Sequence, residues 1–251
     1  MRSTVVRLPE TDTGGPSLRR AVDIVFSLTG LLVLLPALLA FALLIRLVDG
    51  PPVLFSQLRV GTGGRLFRLW KFRTMRVVAD DLSPRVTAEG DSRVTRLGGF
   101  LRRYKIDEFP QLWNVILGQM SLVGPRPEVP EYVEPEDPVW AELLRSGPGL
   151  TDFATLVYRH EESVLAMAAD PERAYVESVL PHKLRLDREY LRQQTPWTDL
   201  KLIILTLRHS FSSAPVNEET IRRQIFGGDR WKPSGPFLIM SRPSAKRKLT
   251  K

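Results

Sequence analysis

The chain has 251 residues, 43% of them apolar, no cysteine, and 36 lysines and arginines against 28 aspartates and glutamates, a formal charge of +8. The lack of cysteine excludes disulfide frameworks, thiolate metal sites and cysteine nucleophiles, so any metal must be held by oxygen or histidine. The basic balance suits anionic partners such as phosphate ligands, acidic lipid headgroups or nucleic acid, and the length suits one catalytic unit with a membrane element.

Residues 1–17 mix Pro, Gly, Thr and charges without apolar periodicity and read as a flexible leader. From Ile24 to Ile45 there are 22 residues without a charge, long enough to cross a hydrocarbon core as a helix. A secretory signal peptide fits poorly, because its apolar region is usually about 7 to 15 residues and this run ends at Arg46 without a small-residue cleavage pattern. Pro36 sits mid-run, where it removes a backbone hydrogen bond and favours a kink. Arg19 and Arg20 precede the run and Arg46, Arg59, Arg65 and Arg68 follow it, whereas a simple span concentrates positive charge on one side. On these grounds a helix that turns back and an ordinary span with a tolerated proline stand level.

Next, Val53-Leu54-Phe55 and Leu66-Phe67-Arg68-Leu69-Trp70 flank Gly61-Thr62-Gly63-Gly64, a pattern that predicts a β-hairpin. The glycine cluster lacks both the Gly-Lys-Ser/Thr ending of a phosphate loop and the dinucleotide pattern, so it is a turn. Phe109, Leu112, Trp113 and Ile116 recur at helical spacing, Pro110 suits a first turn and Gly118 a stop, so Asp107 and Glu108 are expected to open that helix. Trp197, Leu200, Ile203, Ile204, Leu207 and Phe211 share one helical face, opposite Lys201 and Arg208. Such a helix suits a membrane interface or the cover of a protein core. The tail from Gly227 to Lys251 is rich in Pro, Gly and basic residues and reads as flexible.

Four clusters offer cations beside carboxylates: Lys71-Phe72-Arg73-Thr74-Met75, Arg102-Arg103, Asp107-Glu108 and Gly124-Pro125-Arg126-Pro127. Phosphoryl transfer needs that combination, since fixed cations and a metal must neutralise phosphate charge while a nucleophile approaches in line. Taken singly, an Asp at a helix start is more often a cap than a nucleophile, and basic runs are usually solvated.

Arg59-Val60-Gly61, Lys71 to Met75, Asp107-Glu108-Phe109-Pro110-Gln111-Leu112-Trp113-Asn114-Val115 and Met120-Ser121-Leu122-Val123-Gly124-Pro125-Arg126-Pro127-Glu128 occur in order. Together they resemble the bacterial sugar transferase family, the monotopic phosphoglycosyl transferases, over roughly Arg20 to Leu207. The resemblance implies an α+β, mainly helical protein: a re-entrant membrane helix over 18–50 broken at Pro36, then a compact catalytic domain over 51–210 with a small hairpin and amphipathic interfacial helices. Residues 211–251 are then a basic, partly flexible extension. It implies transfer of a sugar 1-phosphate from a UDP-sugar donor to undecaprenyl phosphate at the cytoplasmic face of the bacterial inner membrane, with release of UMP. A polyprenyl-phosphate glycosyltransferase releasing UDP is the alternative.

By the same resemblance Asp107 is the covalent nucleophile and a Mg2+ ligand, with Glu108 beside it. Arg102 matches a phosphate-binding position, Pro125, Arg126 and Pro127 a nucleotide-binding motif, and Lys71 and Arg73 further substrate contacts. A helix N-terminus would keep Asp107 ionised and attract phosphate, and magnesium would offset the repulsion between the two anions. The chain departs from many members at Leu35, Gln119 and Thr151-Asp152-Phe153-Ala154, positions that bear on the kink and on the donor sugar. Membrane lipids are expected partners, a homo-oligomer is left open, and the apolar segment without any nucleic-acid-binding module argues against nucleic acid.

Overall fold

The computed structural model describes residues 18–77, 86–210 and 217–227. The expected leader over 1–17, Phe211 and the tail beyond Gly227 lie outside the described residues. Leu18–Val48 forms one helix, α1, of 31 residues with Pro36 inside it, a length of about 46 Å at 1.5 Å per residue. Leu32, Val33, Leu39 and Leu43 on it are all exposed. It is long and apolar enough to cross a membrane.

Both ends of α1 are fastened to the rest of the protein. At its start, Arg19 donates to the carbonyl of Val123 at 2.6 Å, Arg20 to those of Val115 and Ile116 at 2.6 and 2.8 Å, and Asp23 accepts from the Leu122 amide at 3.1 Å. At its end, Ile45 is fully buried against Phe72 and Leu101. There Arg73 donates to the carbonyls of Asp49, Gly50 and Pro51, the chain just beyond α1, at 2.7, 2.5 and 2.9 Å.

The expected hairpin is present and longer than its apolar signal: β1 (Leu54–Val60) pairs antiparallel with β2 (Leu66–Phe72), Leu54 opposite Phe72 and Val60 opposite Leu66. Gly63 takes φ +65° in the turn between them, a conformation that costs a side chain strain. Side chains alternate across a strand, so Phe67, Leu69 and Lys71 share a face, and Phe67 and Leu69 pack there on Val115 and Met120. The helix α2 (Arg96–Arg103) begins at Thr95, whose hydroxyl accepts from the Gly98 amide at 2.8 Å. A Cβ on Gly98 would lie 2.0 Å from the Thr74 carbonyl oxygen, so glycine lets α2 press against the chain leaving β2.

The two acids do not open the next helix. Lys105 adopts φ +57°, which ends the preceding segment, and Ile106–Glu108 then forms a separate 3-10 turn. The helix α3 (Gln111–Ile116) starts only after Pro110, and Gly118, at φ +78°, follows its end. The expected apolar face is also rotated, with Trp113 exposed and Asn114 fully buried. Asn114 accepts from the Trp70 amide at 3.1 Å and donates to the Arg68 carbonyl at 2.7 Å. A polar side chain thus ties α3 to β2, satisfying backbone groups that burial would otherwise leave unpaired.

After α3 come β3 (Ser121–Val123), α4 (Pro138–Ser146) and β4 (Gly149–Thr151), with β3 and β4 parallel. Then follow α5 (Phe153–Val157), α6 (Glu161–Ala166), α7 (Pro171–Ala174), α8 (Leu180–Arg192), α9 (Pro196–Ser210) and α10 (Glu218–Phe226). The largest core joins Phe153, Leu186, Tyr190, Leu202, Ile221 and Ile225. The packed fold therefore continues past residue 210 into α10. On α9 the buried residues are Thr198, Leu202 and Leu205, while Trp197, Leu200, Ile204 and Leu207 of the expected apolar face point outward.

Candidate active site

Three segments bring the charged clusters together: β2 supplies Lys71, the 3-10 turn supplies Asp107 and Glu108, and the loop after β3 supplies Pro125, Arg126, Pro127 and Glu128. Glu108 joins them. Its Oε1 accepts from Lys71 Nζ at 3.2 Å and from Arg126 Nη2, and its Oε2 accepts from Arg126 Nη1 at 3.3 Å. Such a two-oxygen grip fixes the plane of the guanidinium as well as its position.

The loop is braced from both sides. Gly124 donates to Thr151 and Gly149 donates to the Pro125 carbonyl, at 3.0 and 2.9 Å. A Cβ on Gly149 would sit 2.1 Å from the Gly124 nitrogen, so the two backbones touch. From the hairpin, Arg59 donates to the Pro127 carbonyl at 3.0 Å and faces Glu128 at 3.5 Å. Glu128 also accepts from the Tyr175 hydroxyl at 2.5 Å and lies 3.7 Å from Lys183, which pairs with Glu161 at 3.0 Å. Arg59, Glu128 and Lys183 were not singled out from sequence as site residues, because their pairings span dozens of residues.

Electrostatics separate the two acids. Burial alone would raise the Glu108 pKa, but Arg126 and Lys71 outweigh it and hold the carboxyl well below its ordinary range. Asp107 goes the other way: burial and then the neighbouring Glu108 charge raise its pKa, only partly opposed by Lys71, Lys105 and Arg102. Its Oδ1 is buried without a hydrogen-bond partner. Burial pushes Lys71 down to about 8, against the raising effect of Glu108. The expectation that a helix N-terminus keeps Asp107 ionised is therefore corrected, because the 3-10 turn is too short to carry such a field and burial acts in the opposite direction.

The other candidates occupy different places. Arg102 places Nε and Nη2 on Glu162 Oε1 at 3.1 and 2.5 Å, while its charge still acts on Asp107. Arg73 is turned to the end of α1, and Pro36 lies within α1. A second acidic pair sits near Arg126: Asp152 Oδ1 caps α5, Asp152 Oδ2 is buried without a partner, and Asp187 accepts from the Ala154 amide at 3.4 Å. Burial and then the Asp152 charge push Asp187 well above the usual carboxylate range. Its position on α8, far along the chain from any of the four clusters, hid it from sequence reading.

Among the described residues no three His, Cys, Asp or Glu side chains converge to hold a metal by themselves. The partnerless buried oxygen of Asp107 nevertheless suits magnesium, which takes one or two carboxylates and completes its shell with substrate phosphates and water.

The family model described as bacterial sugar transferase matches residues 15–213. The chain belongs to that family. It is similar to the UDP-glucose:undecaprenyl-phosphate glucose-1-phosphate transferase of Escherichia coli (strain K12), 35% identical over 82% of this chain and 43% of that protein. It is also similar to the undecaprenyl-phosphate glucose phosphotransferase of Komagataeibacter xylinus, 38% identical over 78% of this chain and 36% of the relative. The UDP-N-acetylgalactosamine-undecaprenyl-phosphate N-acetylgalactosaminephosphotransferase of Aeromonas hydrophila is 34% identical over 76% of this chain and 43% of its own length. The chain thus spans less than half the length of these bacterial sugar transferase relatives, and their names carry different sugars.

Proposed function

We propose that this chain transfers a sugar 1-phosphate from a UDP-sugar to undecaprenyl phosphate, releasing UMP, by way of a covalent intermediate on Asp107. The observation that carries the reading is the buried, partnerless Oδ1 of Asp107 beside the Lys71, Glu108 and Arg126 cluster. In the first step a carboxylate oxygen of Asp107 attacks the phosphorus that bears the sugar, and the bond to the bridging oxygen breaks as UMP departs with the electron pair. In the second, an oxygen of the lipid phosphate attacks the same phosphorus and the Asp107 carboxylate is regenerated, a two-step exchange typical of covalent catalysis.

Lys71 and Arg126 supply fixed positive charge for the donor phosphates, and Glu108 holds both in register. Magnesium bound at Asp107 would add charge neutralisation there. Arg102 adds a further cation beside Asp107, and the loop of Pro125, Arg126 and Pro127 is the place for the nucleotide. Asp152 stands near Arg126, so the departure from the family pattern lies beside the proposed donor site and bears on which sugar it accepts.

We also propose that α1 is re-entrant at Pro36 and that the catalytic part lies on the cytoplasmic face of the inner membrane. A straight crossing would put about 30 Å of hydrocarbon between the helix ends. The contacts of Arg19, Arg20 and Asp23 at one end and of Ile45 at the other, all made to one body, support a turn-back.

The test is incubation with labelled UDP-sugars and no lipid acceptor. Stoichiometric UMP and a labelled protein are expected, with the label lost in Asp107→Asn. Release of UDP would favour the glycosyltransferase alternative, and UMP formed only when acceptor is present would replace the covalent route by direct attack of the lipid phosphate.

A further inference from the structure

A cavity of about 430 Å³ lies between the end of α1 and the start of α2, lined among others by Val48, Asp49, Pro51, Arg73, Arg76 and Thr95. Among its described lining residues two arginines stand against one aspartate. Arg73 is buried and spends its terminal nitrogens on neutral carbonyls and on no carboxylate, and its Nε has no hydrogen-bond partner. Arg76 is exposed, and among the described residues its side chain makes no hydrogen bond or ion pair. Among the described lining residues the one carboxylate, Asp49, already accepts from the Thr95 hydroxyl at 2.8 Å. Thr95 also caps the eight-residue α2, so the positive end of that helix dipole lies on the same side of the protein as the cavity wall.

The walls are mixed in a telling way. Val48 and Pro51 continue the apolar surface of α1, at the point where a membrane helix gives way to polar chain. Basic pockets beside the ends of membrane helices recognise phosphate headgroups, and guanidinium groups suit phosphate oxygens in particular. We propose that this cavity binds the phosphate of a membrane lipid, with Arg76 on the phosphate, the buried charge of Arg73 behind it, and Val48 and Pro51 against the start of the tail. The inference rests on the membrane placement of α1 but not on the transfer reaction. Arg73 follows Lys71 by two residues, about 7 Å along the chain, and its guanidinium is turned away to the α1 end. The site is therefore separate from the Glu108 cluster.

Two lipids carry the required chemistry, an anionic phospholipid and a polyprenyl phosphate. The full chain is reconstituted in phosphatidylcholine nanodiscs that contain a minor fraction of phosphatidylglycerol or of undecaprenyl phosphate. The lipid kept after transfer to mild detergent is then counted by native mass spectrometry. One phosphate lipid per chain is expected, and the lipid retained better names the source. Arg76→Gln should lower its occupancy about fivefold, the share one basic side chain contributes at an anionic lipid surface. Arg76→Lys should restore part of it, and Arg223→Gln, an exposed arginine on α10, should change nothing. The Arg76 amide donates to the Arg93 carbonyl at 2.8 Å, a backbone contact the substitution keeps, and unchanged thermal unfolding of the variant checks the fold. Wild-type retention in Arg76→Gln, equal loss in Arg223→Gln, or displacement by inorganic phosphate as readily as by lipid would each overturn the proposal. UMP release, assayed separately, reports on the reaction and does not enter the count.

Discussion

Asp107 and Glu108 are adjacent in sequence, yet Glu108 accepts from two cations while Asp107 has a buried oxygen that accepts from no donor. That difference gives the two acids different expected mutant behaviour. Folding raises the Asp107 pKa, through burial first and Glu108 second. Keeping it ionised at neutral pH therefore costs stability, a cost that vanishes as the pH falls below the unfolded carboxylate value of about 3.9. Asp107→Asn removes the charge, so we expect an unfolding temperature equal to or above that of the parent, with turnover lower by roughly three orders of magnitude or more. Were Asp107 only a cap, the amide would serve almost as well and activity would survive. Lys71 gives the second residue-scale expectation. Half-buried and held near 8 by desolvation, it is cationic below that pH and neutral above it, so kcat/KM should fall as the pH rises through about 8. Lys71→Arg, which keeps its charge, should carry that limb to higher pH. A profile flat to pH 10 in the parent would remove Lys71 from the phosphate site.

At the scale of elements, the attachment of both ends of α1 to one body leads to a labelling experiment. The chain has no cysteine, so Leu18→Cys and Leu66→Cys, at two exposed positions before and after the apolar run, can each be read with a membrane-impermeant maleimide. Both should label from the cytoplasmic side, and labelling from opposite sides would establish a simple span. α1 and the hairpin were legible in the sequence because an uninterrupted apolar run and two apolar segments around glycines are local signals. The 3-10 turn was not, because Lys105 enters a left-handed conformation that its residue type does not announce. Nor was the inward turn of Asn114, which depends on amide and carbonyl groups of a strand far away in sequence. The site followed the same rule: Lys71, Asp107, Glu108 and Arg126 stand in compact charged motifs, whereas Arg59 and Glu128, though inside quoted motifs, and Lys183 and Asp187, outside them, gain their place only from partners the fold delivers. Arg73 shows the converse, a motif residue whose guanidinium the fold commits to the end of α1.

For the whole molecule, the outward apolar surface of α1 and that of α9 raise the question of how the protein sits against a bilayer. Lys201 on α9 donates to the Ile225 carbonyl at 2.9 Å, and Leu202 and Leu205 are buried, so the inner side of the helix is committed to α10 and the core. Trp197, Leu200, Ile204 and Leu207 face away from that packing, with exposures of 63%, 40%, 54% and 58%. A helix apolar on its inner and outer sides fits an element with protein beneath it and the membrane interface above. The alternative, that α9 is only a cover for the core, makes a different prediction for the same variant. If the outward side chains serve the core, replacing Leu200, Ile204 and Leu207 by serine should lower stability by about 2 kcal/mol or more at each site. If they serve the interface, each change should alter stability in detergent by no more than about 0.5 kcal/mol, while turnover with undecaprenyl phosphate in vesicles falls several-fold. A short, water-soluble polyprenyl phosphate would then be used as well by the variant as by the parent, because the chemical site is untouched and only its approach to the bilayer is impaired. Equal loss with both acceptors, accompanied by a large drop in unfolding temperature, would return α9 to the core.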